Sequence, residues 1–83
     1  MPLFMDVHTI DGGVATDDVA KAHQADLDKQ GDHGVRYLQY WVAENEGKIF
    51  CLVDAPSADA ASTVHREAHG LVADSVFLVK EGS

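Results

Sequence analysis

Hydrophobic and polar positions switch between a two-residue and a 3.6-residue period along this chain, and the switches predict its elements in order. Residues 3–10, Leu-Phe-Met-Asp-Val-His-Thr-Ile, read as a strand closed by Asp11-Gly12-Gly13. Thr16 is the expected N-cap of a first helix, with Asp17 and Asp18 in the turn where the helix dipole favours acids. Val19, Ala22 and Leu27 mark its apolar face, and Gly31 supplies the stop. Residues 35–43, Val-Arg-Tyr-Leu-Gln-Tyr-Trp-Val-Ala, carry strong β character. The turn Glu44-Asn45-Glu46-Gly47 joins them to the strand 48–54 as a hairpin. Ala55-Pro56 ends that strand, and Ser57 can cap a second helix whose face runs through Ala61, Val64 and Ala68 to Gly70. Residues 75–80 form the last strand.

The order β-α-β-β-α-β, without linker or low-complexity stretch, predicts one α+β ferredoxin-like domain over residues 1–83. In that fold a four-stranded antiparallel sheet of order 4-1-3-2 carries both helices on one face. The strands have apolar residues on both sides, among them Phe4, Tyr37, Trp41 and Phe50. A second copy is therefore expected on the open sheet face, giving a homodimer.

Charge narrows the partners. Fourteen acids against six bases give a formal charge of −8, which argues against nucleic acid and anionic membranes. A single cysteine excludes an internal disulfide and suits a reducing cytoplasm. No apolar run approaches the ~20 residues of a membrane span, and no signal-peptide pattern is present. A domain of this size buries only about 60% of its unfolded surface, so metal binding or dimerisation would be a natural supplement.

The candidate chemistry lies at core positions. His23 shares the first helical stripe, His65 shares the second, and Cys51 is central in the hairpin's second strand. If Ile49, Cys51 and Val53 face the helices, His23, His65 and Cys51 meet in one layer. Tyr40, with the parity of Leu38 and Val42, would join them. His65 and His69 stand one helical turn apart, a spacing able to chelate a metal. Asp6 and His8 share one face of the first strand, covered either by the helices or by a partner subunit. His33, in a turn, reads as a solvated loop residue.

Imidazole, thiol and carboxylate together suit Ni²⁺, Zn²⁺ or Cu²⁺, and spacing does not separate the three. Buried imidazoles hydrogen-bonded as plain core residues are the structural alternative. A cofactor-independent oxygenase or isomerase, with His23, Tyr40 and His65 as acid-base groups, is the enzymatic one. Cys-x-x-Cys pairs, Gly-rich phosphate loops and a serine triad are absent.

Met-Asp-Val-His (5–8), Ala-His-Gln-Ala-Asp-Leu (22–27), Phe-Cys-Leu (50–52), Ala-Pro-Ser-Ala-Asp-Ala (55–60) and Val-His-Arg-Glu-Ala-His-Gly (64–70) occur in this order. In this the chain resembles the small bacterial nickel-binding, nickel-responsive proteins, a group first catalogued as a domain of unknown function. The resemblance implies a ferredoxin-like homodimer that binds Ni²⁺ and contributes to nickel tolerance or storage. It implies His8, His23, Asp26, Cys51 and His65 as site residues. His69 stands one residue earlier than the corresponding histidine of many relatives.

Overall fold

Each two-period stretch forms a strand and each 3.6-period stretch a helix in the computed structural model, which describes residues 2–82. The elements are β1 (Leu3–Thr9), α1 (Thr16–Lys29), a 3-10 turn (Gln30–His33), β2 (Arg36–Ala43), β3 (Lys48–Asp54), α2 (Ala58–Ala68) and β4 (Ser75–Val79). The strands pair antiparallel in the order β2-β3-β1-β4, as expected of the ferredoxin-like fold.

Alternation decides what each face receives. On β3, Ile49, Cys51 and Val53 are buried toward the helices, where they pack with Val19, Ala61 and Val64. Phe4, Asp6 and His8 share their side, because β1 pairs with β3 through Phe4–Val53, Asp6–Cys51 and His8–Ile49. This places the Asp6–His8 pair under the helices, the first of the two positions its strand parity allowed. The other face carries Leu3, Met5 and Val7 with Trp41, Phe50, Leu52 and Phe77, of which Trp41 is 45% and Phe77 55% exposed.

β2 departs from simple alternation. Its register runs from Tyr37–Val53 to Gln39–Leu52, so Leu38 is an extra residue of a β-bulge. The bulge resets the parity, and Tyr37 and Tyr40 both reach the helix side although they are three residues apart. Leu38, expected beside Tyr40 and Val42, is instead exposed.

The helix ends are set locally. Thr16, the expected cap of α1, is its first residue; Ala15 occupies the cap position, and the Thr16 N–H donates to Glu44 Oε2 at 3.0 Å. The β2–β3 hairpin thus caps α1. Gly47, at φ +67°, makes this possible, since a Cβ there would collide with the Ile10 carbonyl oxygen. At the other end α1 stops at Lys29, and the 3-10 turn that follows carries the chain through Gly31 to Gly34, which adopts the left-handed conformation at φ +66°. Ser57 caps α2 as expected, its Oγ accepting the Ala60 N–H at 3.1 Å.

Candidate metal centre

The layer between sheet and helices is polar at its middle. Asp6 lies halfway along β1, between Cys51 on β3 and Val76 on β4. α2 runs over this point because Ala61 and Val64 fit the sheet, and the same stripe brings His65 down onto Asp6. α1 supplies Asp26 from the opposite side of His65. Asp6, Asp26, His8 and His65 are all buried.

His65 is the hub. Its Nδ1 lies 2.8 Å from Asp26 Oδ1 and its Nε2 lies 2.9 Å from Asp6 Oδ2. His8 approaches the same corner, its Nε2 3.4 Å from His65 Nε2 and 3.3 Å from Asp6 Oδ1. The Tyr37 hydroxyl stands between Asp6 Oδ2 at 3.2 Å and the Ala61 carbonyl at 2.9 Å, one proton facing two acceptors.

These contacts set the charges. Burial works to lower the His65 pKa, but the hydrogen bonds and negative charge of Asp26 and Asp6 outweigh it and bring the imidazole to about 9. Without an ion, His65 is an imidazolium at neutral pH and donates from both nitrogens. Burial works to raise the Asp6 carboxyl, but the hydrogen bonds and charge of His65 and His8 hold it well below the usual carboxylate range. Burial and the Asp6 charge push the Cys51 thiol far up, and the same two causes act on the Tyr37 hydroxyl.

The donor set fits a transition-metal ion. Donor atoms of Asp6, His8, Cys51 and His65 lie within 4.8 Å of one another. Asp6 Oδ1 is buried without a hydrogen bond, an acceptor with His8 Nε2 3.3 Å away. Ligands at about 2.1 Å from one ion sit roughly 3.0 Å apart in an octahedron and somewhat farther in a tetrahedron. The 2.9, 3.3 and 3.4 Å spacings here match that range. A cavity of about 30 Å³ adjoins the cluster, with His8, His23, Tyr40 and Cys51 on its wall. That volume holds a water or two beside an ion.

A second group with ligand spacing, Asp26, His65 and His69, lies on the far side of the same imidazole. His69 Nε2 is 3.1 Å from Asp26 Oδ1. His23, by contrast, belongs to neither group among the described residues; its ring rests against Tyr40 with centroids 4.7 Å apart. His33 is engaged rather than free in a loop, its Nε2 3.1 Å from Glu67 Oε1. Sequence reasoning missed Tyr37 as a partner of Asp6, because the bulge that turns it inward leaves no mark in the residue pattern. Asp26 entered only through resemblance, since an acid at a helix-core position has no signal of its own.

Comparison with known proteins follows the same line. The model of the family described as nickel responsive protein SCO4226-like matches residues 4–79. The crystal structure of SCO4226 from Streptomyces coelicolor A3(2) superposes with a TM-score of 0.90 at 40% sequence identity, covering 98% of this chain and 99% of that one. No curated protein sequence matches the chain.

Proposed function

This chain belongs to the nickel-responsive SCO4226-like family, and on that premise we propose that it binds one Ni²⁺ per protomer between β1 and α2 and contributes to nickel tolerance or storage. Asp6, His8 and His65 are the ligands we assign, with Cys51 the fourth donor. The observation that carries the reading is the convergence of the His8 and His65 Nε2 atoms on one carboxylate, His8 at Asp6 Oδ1 and His65 at Asp6 Oδ2, with the two nitrogens 3.4 Å apart. Nickel rather than zinc or copper follows from the family, since the donors accept all three.

Binding is an exchange of cations. The His65 Nε2 proton, donated to Asp6 in the free protein, must leave before that lone pair can meet a metal. Asp26 keeps hold of Nδ1–H, as carboxylates do behind metal-bound histidines, and so fixes which nitrogen faces the ion. Cys51, its thiol pKa pushed far up by burial and the Asp6 charge, is the last donor to ionise.

A homodimer completes the proposal. The open sheet face holds a groove of about 250 Å³ among Leu3, Met5, Trp41, Leu52 and Val79, a surface that a second copy would cover. The reducing cytoplasm suits the free Cys51. The enzymatic alternative finds little room, because 30 Å³ beside His23, Tyr40 and His65 is about a tenth of the smallest usual substrate pocket.

Isothermal titration with Ni²⁺ tests the reading. Wild-type protein should saturate at one ion per protomer, and His8→Ala and His65→Ala should each abolish saturable binding. Unchanged stoichiometry in both variants would refute the assignment.

A further inference from the structure

An apolar cavity of about 180 Å³ opens between α1 and the sheet, walled by Ile10, Val14, Val19, Ala22, Ile49 and Leu71. It lies on the helix side, so a second copy on the open sheet face would not fill it. Its walls are aliphatic, and poorly bonded water in such a space is displaced favourably by an apolar group. Leu71 stands over the opening, 49% exposed. Its segment is tied down just beyond, where the Thr9 N–H donates to Asp74 Oδ2 at 2.6 Å and the Asp74 N–H donates to the Val7 carbonyl at 2.9 Å. The mouth therefore has a fixed edge.

Val19, Ala22, Ile49 and Leu71 also line the 30 Å³ cavity, so the two spaces adjoin. On the wall of the smaller one His23 and Tyr40 lean ring to ring, and among the described residues neither side chain makes a hydrogen bond. An imidazole and a phenol can each donate or accept. An apolar body with a few polar groups at one end is the pattern of a small-molecule site.

Size and charge select the occupant. An apolar cavity of about 150 Å³ takes up benzene, so this one suits a single ring with a short side chain. Among the described residues no lysine or arginine lines either space, and Asp18 stands at the rim, so a carboxylate would enter without a counter-ion. Asp26, the carboxylate on the inner wall, is already bonded to His65 and leaves an ammonium equally unmatched. We infer that this cavity binds a neutral, ring-sized hydrophobic molecule with one hydroxyl or carbonyl group. Its ring lies against Val19, Ala22, Ile49 and Leu71, and its polar tip meets His23 and Tyr40. The two spaces together stay under the roughly 300 Å³ of the smallest usual substrate pocket, so the role is binding. The inference goes beyond the metal site and does not rest on it.

Titration of the full chain with phenethyl alcohol, followed by NMR without added metal, tests this. Saturable shifts should centre on Val19, Ala22, Ile49 and Leu71, with a Kd of about 1 mM for a ligand of about nine non-hydrogen atoms. Phenylacetate and phenethylammonium should bind at least about tenfold more weakly. Tyr40→Phe keeps the ring and removes one hydrogen bond; it should weaken the alcohol about three- to tenfold and leave toluene binding unchanged. Ala22→Leu, which fills the cavity, should remove binding of both. Absence of saturable shifts, equal binding of charged and neutral probes, or an alcohol affinity untouched by Tyr40→Phe would each overturn the inference. Should Ala22→Leu fail to fold, the charged probes and Tyr40→Phe still decide. Failure here leaves the Ni²⁺ reading standing, because no metal enters the titration.

Discussion

The two faces of the sheet differ in what the central strand contributes to each: a polar cluster set within the apolar core on one, an exposed apolar surface on the other. Toward the helices, where an ordinary core is apolar, β1 presents Asp6 and His8, and the helices answer with Asp26 and His65. Away from them, where water is expected, the strands present Leu3, Met5, Val7, Trp41, Leu52 and Phe77. Burying two carboxylates and two imidazoles costs several kcal/mol per charge unless each is paired, so the helix side has exchanged stability for a site. The open side holds unused apolar area, at about 25 cal/mol per Å² once covered. Ion binding and self-association would recover stability on opposite faces by different means.

Substitutions at the hub should separate the faces most sharply. His65→Ala leaves Asp6 and Asp26 buried without their shared cation, and the ion-free fold should lose about 3–5 kcal/mol in urea unfolding. A loss under about 1 kcal/mol would mean that the layer is not held by this charge pairing. On the open face, Trp41→Ala together with Leu52→Lys should turn a dimer into a monomer in sedimentation velocity while the Ni²⁺ stoichiometry stays at one. Coupled loss of both properties would show that the two faces are not independent.

Proton competition gives an effect of intermediate size with a defined sign. The folded-state pKa of His65 is raised from the ordinary 6.5 to about 9. Its contribution to the ion-free fold is therefore complete below pH 6.5 and is lost as pH rises through about 9. The same proton excludes the metal, so Ni²⁺ affinity should rise across that interval by up to about tenfold per pH unit. Stability and affinity moving in the same direction between pH 6.5 and 9 would contradict the assignment of His65 as the exchanging group. Acid acts from the other side: the lowered Asp6 pKa stabilises the fold above about pH 3.8, and that contribution disappears as the carboxylate protonates below it.

Much of this was legible in the residues because periods are physical. The alternation of β3 put Ile49, Cys51 and Val53 on one face, and the helical stripe put His65 over them. The side of Asp6 and His8 was not legible, since hydrophobicity alone would turn Leu3, Met5 and Val7 inward and so reverse β1. Only the register with Cys51 and Ile49 decides it. The Leu38 bulge hid Tyr37 in the same way, by shifting parity without any glycine or proline to announce it. His23 shows a reading that holds at the level of the layer. Its stripe position put it in the layer with Tyr40, and the rings do meet there, but spacing does not tell that His23 joins neither ligand-spaced group among the described residues. His23→Ala should accordingly be the mildest change, altering Ni²⁺ affinity less than about twofold by titration. A tenfold loss would place His23 in the coordination sphere and enlarge the site toward α1.

Anomalous diffraction at the nickel edge from Ni²⁺-loaded crystals tests the central claim most directly. The expected map has one strong peak per protomer, about 2.1 Å from the Nε2 atoms of His8 and His65 and beside Asp6. A peak between Asp26 and His69, a peak only at the surface, or no ordered nickel would contradict the account.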